Sequence, residues 1–276
     1  MSTLRFIDSQ FFSGAMNMAI DEMLLEKLSQ HNKQPYLRFY KWKPATLSFG
    51  YNQKIDKLVD IERVRESGLD IVRRMSGGKM VFHNDEYTFC VGFPSEIIES
   101  KIGKGRSFLE MFTLAISPLL SGLTKMGIPA RFADAREMRH SSNNIHCYAT
   151  AAGHSIYAGN QKLIGAAGVF RNSSLVIHGS IPISVNFPPE SCFNKGFKIS
   201  HDVEMASLKD FCPTREIEKL PDIMAEAFAS GLDLEVKEQK LTPDELETSA
   251  RIAEARYSDL FWNSSDRLEK SACQKG

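Results

Sequence analysis

The apolar residues of the chain recur with a helical period in several stretches. After Ser13, apolar positions return every three or four residues with acidic side chains between them, which predicts an amphipathic helix. The same spacing predicts helices over residues 14–28, 55–66, 107–125, 215–230 and 243–255. Pro118 lies inside the third of these and predicts a kink, because proline removes a helical hydrogen bond.

β-branched and aromatic residues cluster in the middle of the chain. They predict strands over 4–7, 36–42, 46–51, 69–74, 80–82, 87–93, 154–158, 163–170 and 175–183. Turn residues such as Pro44, Gly159-Asn160 and Asn172-Ser173-Ser174 separate neighbouring strands. The order of elements predicts an α+β (mixed α/β) fold, with a mixed, largely antiparallel central sheet, flanking helices and a helical C-terminal end.

The change of pattern toward the C-terminus suggests how the chain is divided. We expect one domain over residues 1–210 and a helical segment over 211–262 that packs on it. Residues 263–276 are expected to form a disordered tail.

Composition and charge exclude several classes of protein. The 276 residues are 42% hydrophobic and 25% charged, as in soluble globular proteins, and 34 basic residues balance 34 acidic ones. We therefore expect no nucleic-acid or membrane partner. Five scattered cysteines without a CxxC pair predict reduced thiols, no metal site and a cytoplasmic location.

The candidate chemistry begins with Cys147 and Lys162. Cys147 follows a polar, loop-like passage, and Lys162 follows the predicted turn at Gly159-Asn160. A free thiol has a pKa of about 8.5, and a nearby ammonium lowers it and raises the thiolate fraction. The alternative readings are an inert buried thiol and a solvated surface lysine.

Three other features invite a binding role. Ser76-Gly77-Gly78 suits either close approach of backbone to a ligand or a tight turn between strands. His83 and His178 can be pocket residues or structural histidines. Arg73-Arg74 can anchor a carboxylate or phosphate, or be solvated. Neither a phosphate-binding loop nor a dinucleotide fingerprint is present.

Together these segments resemble the biotin/lipoate protein ligase superfamily, in its lipoate branch. The resemblance extends from RFIDS at Arg5 to YSDLFWN and rests on motifs in the family's order. These motifs are NMAIDEMLL from Asn17, RFYKWKPATLSFGYNQ from Arg38, RRMSGGKMVFHNDEYTF from Arg73, GNQKLIGAAG from Gly159 and HGSI from His178.

The resemblance implies a role for each matching residue. Residues 1–210 would be the catalytic domain. Cys147 would form the acyl thioester, as in the cysteine-dependent octanoyltransferases that this chain most resembles, and Lys162 would lower its pKa. The implied substrate-binding residues are Arg73, Ser76, Gly77, Gly78, His83, Gly165, Ala167, His178 and Gly179.

The implied activity is transfer of an octanoyl (or lipoyl) group through a cysteine thioester. The donor would be octanoyl-acyl-carrier protein. The acceptor would be a lysine on a lipoyl domain, in the glycine-cleavage H protein or the acyltransferase subunits of 2-oxoacid dehydrogenases. No cofactor is required. The alternatives are an amidotransferase between lipoyl domains, a lipoate-protein ligase that uses ATP and Mg, and a non-catalytic lipoyl-domain-binding protein.

Two departures from the family pattern bear on the acyl pocket. The family's Gly-Ser-Ala-Gln is Gly165-Ala166-Ala167-Gly168 here, so a serine hydroxyl and a glutamine amide are missing. Lys79 follows the two glycines, and Asn84 replaces an aspartate that is common after the histidine. We expect these changes to tune the activity rather than abolish it.

Overall fold

The computed structural model describes residues 2–30, 33–134, 155–197, 205–259 and 262–263. Its strands are β1 (Thr3–Phe12), β2 (Tyr36–Trp42), β3 (Thr46–Phe49), β4 (Asp70–Arg73), β5 (Val81–His83), β6 (Glu86–Pro94), β7 (Ala130–Phe132), β8 (Ile156–Ala158), β9 (Gln161–Arg171), β10 (Ser174–Pro182) and β11 (Glu235–Glu238). In these ranges no helix has the length and apolarity needed to span a membrane.

The helices of the described ranges flank these strands. They are α1 (Gly14–Gln30), α2 (Ile55–Leu58), α3 (Ile61–Glu66), α4 (Ser95–Ile102), α5 (Phe108–Ile116), α6 (Pro118–Lys125), α7 (Thr214–Ile217), α8 (Leu220–Gly231) and α9 (Pro243–Ile252). A π-helical turn, Ala253–Tyr257, continues α9.

The strands form one large and one small sheet. The large sheet has eight strands in the order β11-β1-β2-β6-β10-β9-β8-β7, and the small one has the order β4-β3-β5. In the large sheet β1 runs parallel to β11 and β2, whereas the other neighbours are antiparallel. The predicted fold class, a mixed and largely antiparallel sheet with flanking helices, is confirmed.

Some predicted elements differ from the observed ones. The single helix predicted over 107–125 is wrong, because the chain forms α5 and α6 with Pro118 at the first position of α6. That position needs no N–H donor and therefore suits proline. The predicted 55–66 helix is also divided, into α2 and α3. Asn263, expected to begin the tail, is buried instead, at 8% exposure.

The two faces of the large sheet differ in polarity because side chains alternate along each strand. Phe39, Phe89 and Gly179 are neighbours on β2, β6 and β10. Their face carries the main apolar core, against α5, α6 and α8. The adjacent row, Arg38, Cys90 and His178, points to the opposite face. That face is covered by α1 and is rich in polar groups.

A buried ion pair fixes α1 to this polar face. The Arg38 guanidinium donates to Asp21 Oδ1 at 2.6 Å, and neither side chain is exposed to solvent (0%). Arg38 also donates to Asn17 Oδ1 at 2.6 Å, and the Tyr40 hydroxyl donates to Asp21 Oδ2 at 2.8 Å. Burial is the largest single effect and raises the pKa of Asp21, but the Arg38 charge, His178 and the Tyr40 hydrogen bond together outweigh burial, so the pKa lies below its ordinary value. Asp21 is therefore ionised and fully compensated.

A second charged cluster joins the C-terminal helix to the first strand. Glu245 lies at the third position of α9 and closes a capping box with Thr242. Its carboxylate accepts two hydrogen bonds from Arg5, both 2.7 Å long, and one from Lys27, at 2.8 Å. Burial raises the pKa of Glu245, but these donors outweigh burial and lower it to about 2. The helical C-terminal segment is thus tied to β1 and α1.

We predict that removing one partner of the Asp21–Arg38 pair destabilises the fold strongly. Arg38→Met leaves the Asp21 carboxylate buried without its counter-charge, so the free energy of unfolding should fall by about 3–5 kcal/mol. Urea denaturation measures this change. Arg106→Met is the matched control, since its pair with Glu110 is about half exposed and should contribute less than about 1 kcal/mol. Equal losses in both variants would contradict the prediction.

We also predict an acid-dependent contribution from Glu245. The folded-state pKa of about 2 lies below the ordinary value of 4.5, so ionised Glu245 stabilises the folded state above pH 4.5. This contribution should disappear as the pH falls from 4.5 toward 2. Urea denaturation across this range should show a shallower pH dependence for Glu245→Gln than for the wild type. Glu247→Gln, on an exposed position of the same helix, should keep the wild-type slope.

Candidate active site

A pocket lies between α1, the small sheet and the polar face of the large sheet. It encloses about 350 Å³ of space, including its open mouth. Its lining residues are Met18, Tyr40, Trp42, Arg74, Val81, His83, Thr88, Gly165, Ala166, Ala167, His178, Gly179 and Ser180. Five of the predicted site residues are therefore brought together here, although they lie up to 96 positions apart in the chain. They are His83, Gly165, Ala167, His178 and Gly179.

Four adjacent strands form the floor of the pocket. Gly165 on β9 pairs with Ser180 on β10, Ser180 pairs with Thr88 on β6, and Thr88 pairs with Tyr40 on β2. Three strand spacings of about 4.8 Å give a floor about 14 Å across. The floor carries small side chains on β9 and aromatic ones on β2. The pocket is therefore open above β9 and is closed by aromatic rings at β2.

The Ser76–Gly78 segment lies against β9 and β10. The Ser76 hydroxyl and His178 Nε2 form a hydrogen bond. Gly78 has a positive φ of 92°, and a Cβ built there would lie 3.2 Å from Arg74 Nη2 and 3.7 Å from the Ala167 Cβ. The backbone of Gly50 lies directly against that of Gly78, since a Cβ on Gly50 would be only 2.0 Å from the Gly78 carbonyl oxygen. Close backbone approach is thus the reason for glycine at these positions.

His178 is a neutral histidine in the wall of the pocket. Burial lowers its pKa, and the Asp21 carboxylate, 3.6 Å from Nδ1, opposes that shift without reversing it. His178 Nδ1 itself is buried and makes no hydrogen bond. The ring therefore presents no positive charge to a ligand at neutral pH.

His83 belongs to a closed polar network. Its Nδ1 lies 2.7 Å from Glu86 Oε1 and its Nε2 lies 2.6 Å from the Ser48 hydroxyl. The Trp42 ring stacks on the imidazole at a centroid distance of 4.0 Å. Glu86 also accepts from Thr88 and Ser180. With its hydrogen-bonding capacity satisfied in this way, His83 serves as a rigid wall of the pocket.

Arg74, rather than Arg73, lines the pocket. Arg73 does not line the pocket, because its fully buried guanidinium donates to the backbone carbonyls of Tyr51, Gln53 and Trp262 at 2.7–2.9 Å. Its role in substrate binding stays a prediction. The sequence offers Arg74 together with Arg73 as an anchor for an anion, but Arg74 is not among the substrate-binding residues that the family resemblance implies. Its guanidinium donates to the Ser48 hydroxyl at 2.6 Å and to the Gly77 and Lys79 carbonyls at 3.1 and 2.8 Å. Strand alternation was the available signal, since neighbouring residues point to opposite faces.

Lys162 is buried, at 2% exposure, near the start of β9. Ile156 pairs with Ile164 whereas Tyr157 pairs with Lys162, so Leu163 is an extra residue in a β-bulge. Leu163 and Ile164 both belong to the apolar core. By alternation Lys162 therefore points to the other face, the face that carries Gly165 and Ala167. The bulge aims the lysine toward the pocket side of the sheet.

Other predicted residues lie elsewhere. Cys147 falls outside the described residues, so its distance from Lys162 stays a prediction. A Cβ on Gly168 would lie 2.8 Å from the ring of Phe112, on the apolar face and away from the pocket. The glutamine missing at this position therefore removes no group from the pocket floor. Among the residues with described coordinates, no cluster of three His, Cys, Asp or Glu side chains could hold a metal ion.

Comparison with known proteins identifies relatives along almost the whole chain. Residues 13–229 match the family model for the lipoyl protein ligase A/B catalytic domain. The chain is 30% identical over 279 residues to octanoyltransferase LipM of Brevibacillus brevis, covering 95% of this chain and 99% of that protein. It is likewise 30% identical over 272 residues to octanoyltransferase LipM of Carboxydothermus hydrogenoformans, covering 95% and 98%.

Solved structures give the same fold. A lipoate-protein ligase A bound with ATP superposes with a TM-score of 0.74 at 21% identity, covering 95% of this chain and 98% of that one. The bipartite lipoate protein ligase of Thermoplasma acidophilum, from a study that includes its E2 lipoyl domain, also has a TM-score of 0.74, at 20% identity and covering 95% and 96%.

We predict that Gly168 is required for packing against α5. Gly168→Gln forces a side chain into the Phe112 ring, and such overpacking should cost about 1–3 kcal/mol of unfolding free energy in urea denaturation. The double variant Gly168→Gln/Phe112→Ala should be more stable than the sum of the two single losses implies, because the second change makes room for the first. Strict additivity would show that the two side chains do not compete.

Proposed function

The chain belongs to the family of lipoyl protein ligase A/B catalytic domains, and on that basis we propose that it is an octanoyltransferase of lipoate biosynthesis. The LipM octanoyltransferases, which match it over almost its whole length, support this activity. The observation that carries the proposal is the pocket on the polar face of the sheet, beside a buried lysine. Small residues of β9 and β10 line its open side, and aromatic rings close the other.

The first half of the reaction loads the enzyme. Cys147, as a thiolate, attacks the carbonyl carbon of an octanoyl thioester on acyl-carrier protein. A carbon–sulfur bond forms to the enzyme, and the bond to the carrier sulfur breaks, so the carrier leaves as a thiolate that takes up a proton. The Lys162 ammonium favours the Cys147 thiolate by its charge, and each unit of pKa lowering corresponds to about 1.4 kcal/mol.

The second half transfers the chain to the acceptor. The neutral ε-amine of a lysine on a lipoyl domain attacks the enzyme thioester, an amide bond forms, and the Cys147 thiolate leaves. The amine loses one proton in this step. No ATP is consumed, because a thioester is already activated toward an amine. This is a ping-pong scheme, in which the covalent enzyme links the two half-reactions.

The pocket supplies binding energy for the acyl chain. The chain runs over Gly165 and Ala167, where small side chains leave room, and ends against Trp42 and Tyr40. At about 0.8 kcal/mol per buried CH₂, seven carbons beyond the carbonyl contribute about 6 kcal/mol. One methylene more or less changes the preference modestly. Backbone N–H groups of the Gly77-Gly78 segment are available near the carbonyl end as oxyanion donors.

We predict that Cys147→Ser abolishes acyl loading. Incubation of the wild type with octanoyl-acyl-carrier protein, without ATP, should add one octanoyl group in an intact mass measurement. The adduct should be absent from Cys147→Ser, and turnover should fall by about 10³-fold or more. Cys212→Ser, which removes another thiol far from the pocket lining, should load normally. Normal turnover by Cys147→Ser would overturn the thioester mechanism.

The same assay tests Lys162. In Lys162→Met the thiol loses its neighbouring charge, so loading at pH 7 should slow by about 10–100-fold and recover as the pH rises past about 8.5. Loading that requires lipoate and ATP would instead identify a ligase. Preference for an octanoylated H protein as donor would identify an amidotransferase. Tight binding of a lipoyl domain without any adduct would identify a binding protein.

A further inference from the structure

Two residues near the C-terminus bind the backbone of Arg73 on both sides. Asn263 Oδ1 accepts the Arg73 N–H at 2.9 Å, and the Trp262 indole N–H donates to the Arg73 carbonyl at 3.3 Å. The Trp262 carbonyl in turn accepts from Arg73 Nε at 2.8 Å. A second hydrogen bond holds the Asn263 side chain in place, because its amide donates to the Tyr257 carbonyl at 2.7 Å.

The rest of the Arg73 side chain extends this contact to the loop after β3. Its guanidinium donates to the carbonyls of Gly50, Tyr51 and Gln53 at 3.3, 2.9 and 2.7 Å. The Trp262 ring also packs edge-on against Tyr51, at a centroid distance of 6.0 Å. One buried cation thus donates to carbonyl oxygens from two separate parts of the chain, the loop after β3 and the C-terminal residues.

The residue after Arg73 lines the acyl pocket, and the Ser76–Gly78 segment behind it contacts His178 and Ala167, which also line the pocket. Arg74 lines the pocket, and its N–H donates to the Phe49 carbonyl at 2.8 Å. The Tyr51 N–H donates to the Ser76 carbonyl at 2.8 Å, while the Ser76 side chain bonds to His178. The C-terminal contacts therefore lie at the residue next to Arg74, which lines the pocket, and three residues before the Ser76–Gly78 segment.

We infer that Trp262 and Asn263 are positioning residues for the acyl pocket, acting through Arg73 to hold Arg74 and the Ser76–Gly78 segment against β9 and β10. The inference rests on the proposed function only in naming an acyl chain as the ligand. Two adjacent glycines make the segment conformationally permissive, so its pocket-forming conformation needs external support. The C-terminal residues supply that support from outside the pocket.

The effect of losing this support has a definite kinetic form. If the segment adopts the binding conformation in only a fraction of the molecules, the apparent affinity for the ligand falls in proportion to that fraction. Once the ligand is bound, the segment is in place and the chemical step is unaffected. The donor concentration for half-maximal loading should therefore change, and the maximal loading rate should not.

The test compares Asn263→Ala with the wild type in two measurements. The first is the octanoyl-acyl-carrier protein concentration that gives half-maximal loading of Cys147, which should rise by about tenfold, with the maximal rate within about twofold. The second is hydrogen exchange of the backbone amides of residues 72–79, which should become about tenfold faster. Asn263→Asp keeps the oxygen that accepts from Arg73 and should lie closer to the wild type in both measurements.

A matched control separates positioning from general destabilisation. Asn194 likewise ties its own loop to a distant part of the chain, since its amide donates to the carbonyls of Asp56 and Val59, in and just after α2, at 2.8 and 3.3 Å, but it does not line the pocket. Asn194→Ala should lower the urea midpoint comparably and leave both measurements at wild-type values. Unchanged exchange and half-saturation in Asn263→Ala, or equal changes in Asn194→Ala, would overturn the inference.

Failure of the proposed function remains distinguishable from failure of this inference. If the wild type forms no octanoyl adduct, the acyl-transfer proposal is wrong, and exchange of residues 72–79 together with calorimetric titration of octanoate still decides the positioning role. If Asn263→Ala does not fold, Trp262→Phe replaces it. That change removes the indole N–H and keeps the backbone carbonyl and an aromatic ring, and it should speed exchange by about threefold.

Discussion

The buried pair of Asp21 and Arg38 is the interaction on which the arrangement of the pocket depends. A pocket between a helix and a sheet requires a sheet face that is not filled by interlocking apolar side chains. The polar face of this sheet meets that requirement with charged and hydroxyl groups, which are costly to bury unless each is paired. Arg38 and Tyr40 satisfy the Asp21 carboxylate, and Asn17 accepts a further hydrogen bond from Arg38, so α1 is held in a fixed position over this face. Without that compensation the helix and the floor would not define a pocket between them.

The apolar face of the large sheet explains why the fold can accommodate buried polar groups on the other face. Phe39, Phe89 and their neighbours pack against α5, α6 and α8 and provide most of the apolar burial. The larger apolar cluster therefore lies on one side of the sheet, whereas the pocket and a smaller apolar cluster under α1 lie on the other. Gly168 illustrates the division, because the residue type there is fixed by Phe112 on the packed face although its strand forms part of the pocket floor.

Much of the fold follows from the sequence, whereas the site follows only in part. Alternation and helical periodicity locate the strands and helices of the large sheet, and the motifs bring His83 and His178 into one expected pocket. Periodicity could not locate β11, because all four of its side chains are exposed and the strand is defined only by pairing with β1. It also could not assign Lys162 to a face, because the bulge at Leu163 changes the parity of the strand. The roles of Arg73 and Arg74 depend on which of the two meets carbonyl oxygens from distant segments, and no local pattern encodes that.

Arg73 also shows why a motif residue and a ligand-contacting residue need not be the same. An arginine has five N–H donors in a planar fork and here reaches four backbone carbonyls, whereas a lysine has three donors at a single nitrogen. Placed at the end of β4, it joins the loop after β3 and the C-terminal residues at a single point. Its neighbour Arg74 is then held with its guanidinium directed to Ser48 and the glycine segment. The two consecutive arginines thus have different roles. Arg73 holds the backbone around the pocket, and Arg74 forms part of the pocket wall, so substituting either would impair binding for a different physical reason.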